Sequence, residues 1–342
     1  MRSIILPIAE DLHIHLRDGE LLKFVTPLVK AGGAGRVLVM PNLKPYIENT
    51  EQALNYKQQL QLAEPDLEYL MTLYLNPNLT VTEIKKAAEN GIIGIKSYPR
   101  GVTTNSENGL ENYEIYYPIF AEMEKQNLVL NIHGEMPSNE AQNICIMNAE
   151  EHFLPNLERI HHNFPKLRIV LEHITSKAAV ELIKKLGSTV AATITAHHLE
   201  LTVDDWAGQN HNYCKPVAKY PVDRQALREV IKQGNSKFFL GSDSAPHLKS
   251  LKENACACAG VFSSSHLMAY LAEIFDKLNC LEYLENFSSR FGQDFYQLKP
   301  LNKYIKLINE SNQIPSSFKV KSLSDDLIPF WAGKNINWKV EV

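Results

Sequence analysis

Eight short apolar runs alternate with longer amphipathic stretches, and polar residues interrupt those runs at their last positions. Together these observations predict an α/β fold, a (β/α)8 TIM barrel with an additional C-terminal helical and irregular segment. Strands separated by helices pair in parallel through crossover connections. A doubly wound open sheet is the competing arrangement, but no Gly-x-Gly-x-x-Gly turn follows the first run. No Pro/Gly/Ser-rich linker, internal repeat or low-complexity segment divides the chain. Residues 1–342 therefore read as a single barrel domain.

The strand runs, rich in Val, Ile and Leu, are 11–16, 36–40, 69–75, 94–98, 128–133, 168–173, 190–196 and 238–242. Between them lie helix-like stretches at 51–62, 82–90, 113–126, 149–163, 176–186 and 223–233. Asn49 and Thr80 are N-cap residues by type, and Glu83 stands three after Thr80, the spacing of a capping box. Residues 265–342 read as a final barrel helix followed by helical and irregular packing.

The chain has 342 residues, 44% hydrophobic and 22% charged, in the proportions of a globular protein. A net charge of −4 without any Lys/Arg block argues against nucleic acid and for a small-molecule partner. No stretch approaches the ~18 apolar residues of a membrane span. The opening residues are too short an apolar run for a signal peptide. Five cysteines, Cys145, Cys214, Cys256, Cys258 and Cys280, make an odd and sparse set, so a disulfide framework is not expected. A cytoplasmic location is the expectation.

In a barrel, functional groups gather at the C-terminal ends of the strands. The first run carries His13 and His15, whose spacing of two aims both imidazoles at one face of a strand. The fourth carries Lys96, the fifth ends at His133, the sixth at His173, and the eighth runs into Asp243. Any one of these has an ordinary explanation as a core or loop residue, and Asp243 could cap a helix. Five strand ends sharing such explanations is a poor account.

Lys96 is the diagnostic residue. An unpaired ammonium is costly inside an apolar strand and would oppose a cation held by neighbouring histidines. A neutral amine that has reacted with CO₂ becomes a carbamate, anionic and able to bridge two metals as a carboxylate does. Four histidines, one aspartate and a carboxylated Lys96 then form a binuclear centre. Such a centre acidifies a bridging water, with Asp243 as general acid and base.

These residues resemble the signature of the amidohydrolase superfamily. The likeness extends over nearly the whole chain to the dihydroorotases of the shorter bacterial type. It is carried by Asp11-Leu-His-Ile-His-Leu-Arg-Asp18, Met40-Pro-Asn42, Gly94-Ile-Lys-Ser-Tyr-Pro99 and Thr103-Thr-Asn-Ser106. Asn131-Ile-His-Gly-Glu135, Leu171-Glu-His-Ile174, Gly241-Ser-Asp-Ser-Ala-Pro-His247 and Cys256-Ala-Cys-Ala-Gly260 continue it.

The resemblance implies two Zn2+ ions per chain. His13, His15, Lys96 and Asp243 would hold one, and carboxylated Lys96, His133 and His173 the other. It implies the reversible cyclisation of N-carbamoyl-L-aspartate to L-dihydroorotate, a step of pyrimidine biosynthesis. Arg17 would grip the substrate carboxylate, with Asn42, His247 and the backbone of Ala259 beside it. Residues 100–109 would form a loop closing over substrate, with Thr103 and Thr104 donating hydrogen bonds. Lys215 departs from the pattern: relatives often carry an apolar residue there, whose main chain meets the substrate. A homodimer is implied as well.

Other readings are another cyclic-amide hydrolase (hydantoinase or allantoinase), a metal-free scaffold relative, and a mononuclear deaminase. The carboxylate-binding set argues against the first, and Lys96 against the other two. Cys256-x-Cys258 with Cys214 lacks a fourth ligand and the usual spacing, so no separate zinc site is expected. The remaining histidines, His152, His161, His162, His197, His198, His211 and His266, read as helix or loop residues.

Overall fold

The computed structural model describes residues 2–103, 105–106, 109–110 and 112–341. Strand β1 is Ser3–Pro7, and eight further strands follow: β2 Ala9–Ile14, β3 Ala34–Val39, β4 Glu68–Tyr74, β5 Gly94–Ser97, β6 Val129–Ile132, β7 Ile169–Leu171, β8 Val190–Ile194 and β9 Phe238–Leu240. These eight form one parallel sheet in sequence order, β2 to β9. The sheet curls until its edges meet just past the strand ends. There Asp243 N donates to His13 O at 2.9 Å and His15 N to Ser244 O at 3.0 Å. The expected barrel is present.

The apolar residues divide into two layers. Leu12, Leu38, Val129, Val170, Ala191 and Phe239 fill the interior with Tyr296, and Phe291 and Phe295 pack against them from the helix Phe291–Tyr296. A second, larger cluster lies between strands and outer helices. Beneath the interior layer Arg36 bridges Glu10 at 2.8 Å and Glu68 at 3.0 Å, and Gln293 also donates to Glu10. This seals one end of the barrel and leaves the strand C-termini for chemistry.

Most helices fall within a few residues of expectation, with Ala149–Asn163 at its predicted bounds. The stretch expected from 113 instead begins with a 3₁₀ turn, Glu114–Tyr116, and runs on as an α-helix, Tyr117–Lys125. Asn49 and Thr80 cap their helices through Gln52 N and Glu83 N. The capping box at Thr80 is only half made, however. The Glu83 carboxylate accepts from Thr50 N at 2.7 Å and Thr50 Oγ1 at 2.6 Å, at the start of the preceding helix, Thr50–Ala63.

The C-terminal segment departs further from expectation. Helices Leu267–Lys277 and Phe291–Tyr296 are there, but beyond them lie strands: β10 Tyr304–Gln313, β11 Phe318–Val320, β12 Asp325–Leu327 and β13 Asn335–Glu341. β10 pairs antiparallel with both β1 and β13, while β11 and β12 pair with each other. The reason is legible in β10, where Ile305 and Leu307 are buried while Tyr304 and Lys306 are exposed, the period of two that a strand requires. Trp338 of β13 is fully buried, with its indole N–H donating to Asp276 Oδ2 at 3.1 Å. The N- and C-terminal strands are thereby joined in one small sheet against the barrel.

Candidate active site

The strand ends bring the expected residues to one mouth. His13 lies in β2 and His15 just beyond it, Lys96 in β5, His133 directly after β6, His173 two residues after β7 and Asp243 three after β9. All six are buried. The two imidazoles of the first strand do converge, with ring centroids 5.4 Å apart, but not by plain alternation. The β2–β3 register shifts between Asp11 and Ile14, and Leu12 packs in the barrel interior while Ile14 packs outside.

His173 sits between the other rings, 4.9 Å from His13 and 4.8 Å from His133. His15 Nε2 lies 3.1 Å and His13 Nε2 3.4 Å from Asp243 Oδ1. Arg17, His173 and Asp243 all have positive φ, at 59°, 40° and 45°. Such backbone is uncommon for non-glycine residues, and each must be held there by its surroundings. His173 N is held by Thr193 Oγ1 at 2.7 Å.

Burial pushes the Lys96 ammonium down to about 8, opposed by the charges of Glu172 and Asp243. Its Nζ has no hydrogen-bond partner among the described residues and stands 5.1 Å from the centre of the Tyr98 ring. Burial lowers His15 to about 4, holds His133 below its usual range and His173 well below. Burial and Lys96 also work against a proton on His13, but Glu172 and Asp243 raise it overall. Burial would raise Asp243, yet hydrogen bonds from His13 and His15 hold it well below the usual carboxylate range.

This donor set suits divalent cations. Ligand atoms of His13, His15 and Asp243 all lie within 4.8 Å of one another. His173 Nδ1 and Lys96 Nζ are buried without partners among the described residues. Two of these histidines also have a carboxylate beside one ring nitrogen. His133 Nε2 meets Glu135 Oε2 at 2.8 Å, and His13 Nδ1 lies 3.0 Å from Glu172 Oε2. Carboxylates placed behind histidines in this way orient metal ligands and set their tautomers.

Sequence reasoning gave Glu135 and Glu172 no role, although each neighbours a histidine in the quoted motifs. A carboxylate beside a histidine at the end of an apolar strand is the signal that could have found them. Glu172 is held in turn by Thr193 Oγ1 at 2.5 Å and Asn131 Nδ2 at 3.0 Å.

The pocket over these residues is also lined by Arg17, Asn42, Tyr98, Thr103, Lys215, Ala245, Ala259 and Gly260. Arg17 is oriented by Pro246 O, which accepts from its Nε at 2.8 Å, and its guanidinium stands 3.0 Å from His247 Nε2. His247 stands behind this wall, its Nε2 also 3.0 Å from Ala259 O. Asn105 Nδ2 donates to Asn42 O at 2.8 Å, and Lys215 Nζ to Val102 O at 2.6 Å, so the loop after β5 is fastened from both sides of the pocket. Thr104 lies outside the described residues.

His197, expected as an ordinary helix or loop residue, is fully buried with neither ring nitrogen bonded among the described residues, and its ligand atoms lie near those of His198 and Cys214. Pro216 O closes that cluster, facing His198 Nε2 at 3.0 Å and Cys214 Sγ at 3.2 Å. Cys256 is exposed and takes no part in it.

The amidohydrolase family model matches residues 4–285. A dihydroorotase of Mycosarcoma maydis is 44% identical, covering 99% of this chain and 99% of its own. A dihydroorotase of Pseudoalteromonas atlantica is 39% identical over 100% of both chains, so the likeness spans fungal and bacterial proteins. The crystal structure of dihydroorotase from Saccharomyces cerevisiae, in complex with 5-fluoroorotic acid, matches with a TM-score of 0.96 at 41% identity, over 100% of this chain and 99% of that one. With this fold, these strand-end residues and these relatives, the chain belongs to the amidohydrolase family and, within it, to the dihydroorotases.

Proposed function

We propose that the protein opens and closes the ring of L-dihydroorotate, interconverting it with N-carbamoyl-L-aspartate. One observation carries the reading: a buried Lys96, without a hydrogen-bond partner among the described residues, lies among four histidines and Asp243, beneath a wall that presents Arg17. Its amine, lowered to about 8, is in part unprotonated near neutral pH and so able to attack CO₂. The new N–C bond gives a carbamate and releases one proton.

His13, His15 and Asp243 would hold one divalent ion, His133 and His173 a second, and carboxylated Lys96 both. Zinc suits this mixture of imidazole and oxygen donors, as do cobalt and manganese, and availability often decides. When bound, the metal pair acidifies a water and polarises the carbonyl under attack.

The chain's own groups do the rest. The Arg17 guanidinium, fixed by Pro246 O, offers a two-pronged grip to the ring carboxylate, and Asn42, which lines the same pocket, adds a polar contact. That grip sets the reacting amide above the histidines. Asp243 takes the proton of the attacking water on its carboxylate and returns it to the ring nitrogen that leaves. Thr103 and Thr104, on the loop fastened through Asn105 and Lys215, would donate to the bound ring and keep bulk water out.

No helix among the described residues is long and apolar enough to cross a membrane, in keeping with a small dissolved substrate.

The test is hydrolysis of L-dihydroorotate by the purified protein, beside hydantoin and allantoin, before and after chelation. Fast opening of dihydroorotate alone, lost on chelation and restored by metal, is expected. Preference for another ring would overturn the role given to Arg17 and Asn42.

A further inference from the structure

Lys252 is buried, 3% exposed, yet among the described residues no carboxylate is a partner of its charge. Its ammonium donates instead to three backbone carbonyls, Tyr213 O at 2.8 Å, Cys258 O at 2.9 Å and Gly260 O at 2.7 Å. Gly260 N–H donates to the same Tyr213 carbonyl at 2.9 Å. Two loops, one after β8 and one after β9, are thus drawn together on a single cation.

The residues bracketed by these bonds matter for substrate. Ala259 and Gly260 line the pocket, and Ala259 O lies 3.0 Å from His247 Nε2, the nitrogen that also stands 3.0 Å from the Arg17 guanidinium. Gly260 leaves no slack, because its φ is +154° and an added Cβ would fall 2.4 Å from Ala245 O and 2.9 Å from His247 Cδ2. With the carbonyls of Cys258 and Gly260 turned to Lys252, the backbone between them has one arrangement toward the pocket.

Cost points the same way. Burying an ammonium without a counter-charge is expensive, and an apolar side chain or a neutral amide would space the loops more cheaply. A cation kept there also raises the local potential beside Arg17, where an anion is to bind.

We propose that Lys252 is a positioning residue for recognition of the substrate carboxylate, fixing the wall formed by Ala259, Gly260 and His247 against Arg17 and adding an uncompensated positive charge behind it. The inference rests on the ring-opening reading for the identity of the carboxylate.

The test compares Lys252→Met, Lys252→Gln and Lys252→Arg with the parent. It measures steady-state kinetics on L-dihydroorotate, competitive inhibition by orotate and by uracil (the same kind of ring without the carboxylate), and bound metal per chain. In Lys252→Met the expected outcome is a KM raised about tenfold or more with kcat within about threefold. Orotate binding should weaken by the same factor, uracil binding and metal content should stay unchanged, and Lys252→Arg should recover part of the loss.

Equal weakening of orotate and uracil, or an unaltered KM in a metal-loaded variant, overturns the proposal. So does failure of both Lys252→Met and Lys252→Gln to fold, since the residue would then serve folding alone. A parent enzyme inactive on dihydroorotate would instead refute the ring-opening reading, and the orotate–uracil comparison would still report on Lys252.

Discussion

Lys96 is fully buried in the barrel mouth, where burial works against its charge, and among the described residues it has no hydrogen bond of its own. A lysine kept for packing would be replaced by methionine at no functional cost, since the two side chains are of similar length and volume. The proposed centre requires the opposite. Lys96→Met should fold, because it removes a buried cation, and should lose most of its bound metal and about a thousandfold or more of its activity. Metal analysis by mass spectrometry beside a urea titration checks both parts, and a variant that retains its metal would remove Lys96 from the centre. Glu172 and Glu135 act one residue further out, holding His13 and His133 by the nitrogens that would not face metal.

Among the elements, the helices are tied to one another by carboxylates that cap a neighbour. Glu83 serves Thr50, while Glu150 accepts from Thr175 N, Thr175 Oγ1, Ser176 N and Ser176 Oγ at the start of helix Lys177–Lys185. Asp223 adds a bond from Lys177 N. Removing Glu150 leaves two buried N–H groups and two hydroxyls short of an acceptor, each costly to bury unpaired. Glu150→Ala should therefore lower stability by about 3 kcal/mol, read from the midpoint of urea unfolding. Because Thr175 follows His173 by two residues, the same change should weaken metal binding at that strand end. A midpoint equal to the parent's would show that solvent replaces the cap.

For the molecule as a whole, buried neutral histidines should contribute to the acid limit. His198 is held at about 4 by burial, against an ordinary value of 6.5, with both ring nitrogens near Thr195 Oγ1 and Pro216 O. Its folded value lies below its unfolded one, so the unfolded chain takes up the proton first. The stability it supports is whole above pH 6.5 and declines as pH falls toward 4, by about 3 kcal/mol. His198→Gln keeps a donor and an acceptor there without the titration. Urea midpoints of the variant should fall less steeply than the parent's between pH 6.5 and 4, and identical slopes would contradict this account. Apo protein is the proper comparison, since bound metal would add its own pH dependence through His13, His15 and His173.

Periodicity determined the barrel, and the strand-end placement of His13, His15, Lys96, His133, His173 and Asp243 followed from it, because the functional groups of such a barrel gather at the C-terminal ends of its strands. It also put the ends of most helices within a few residues. The C-terminal strands were less legible. β10 is an alternating segment that gains its meaning only by pairing with β1, some 300 residues away in sequence, and β13 only by pairing with β10 in turn. The loop ties of Lys252 and the cross-helix caps of Glu83 and Glu150 were equally out of reach. Their partners are backbone atoms or distant side chains, and no local pattern encodes such contacts. Even the His13–His15 pair owed its convergence to an irregular pairing of β2 with β3 as well as to spacing. Sequence sets which groups are present and which face water, while tertiary structure decides which of them meet, since meeting depends on long-range geometry.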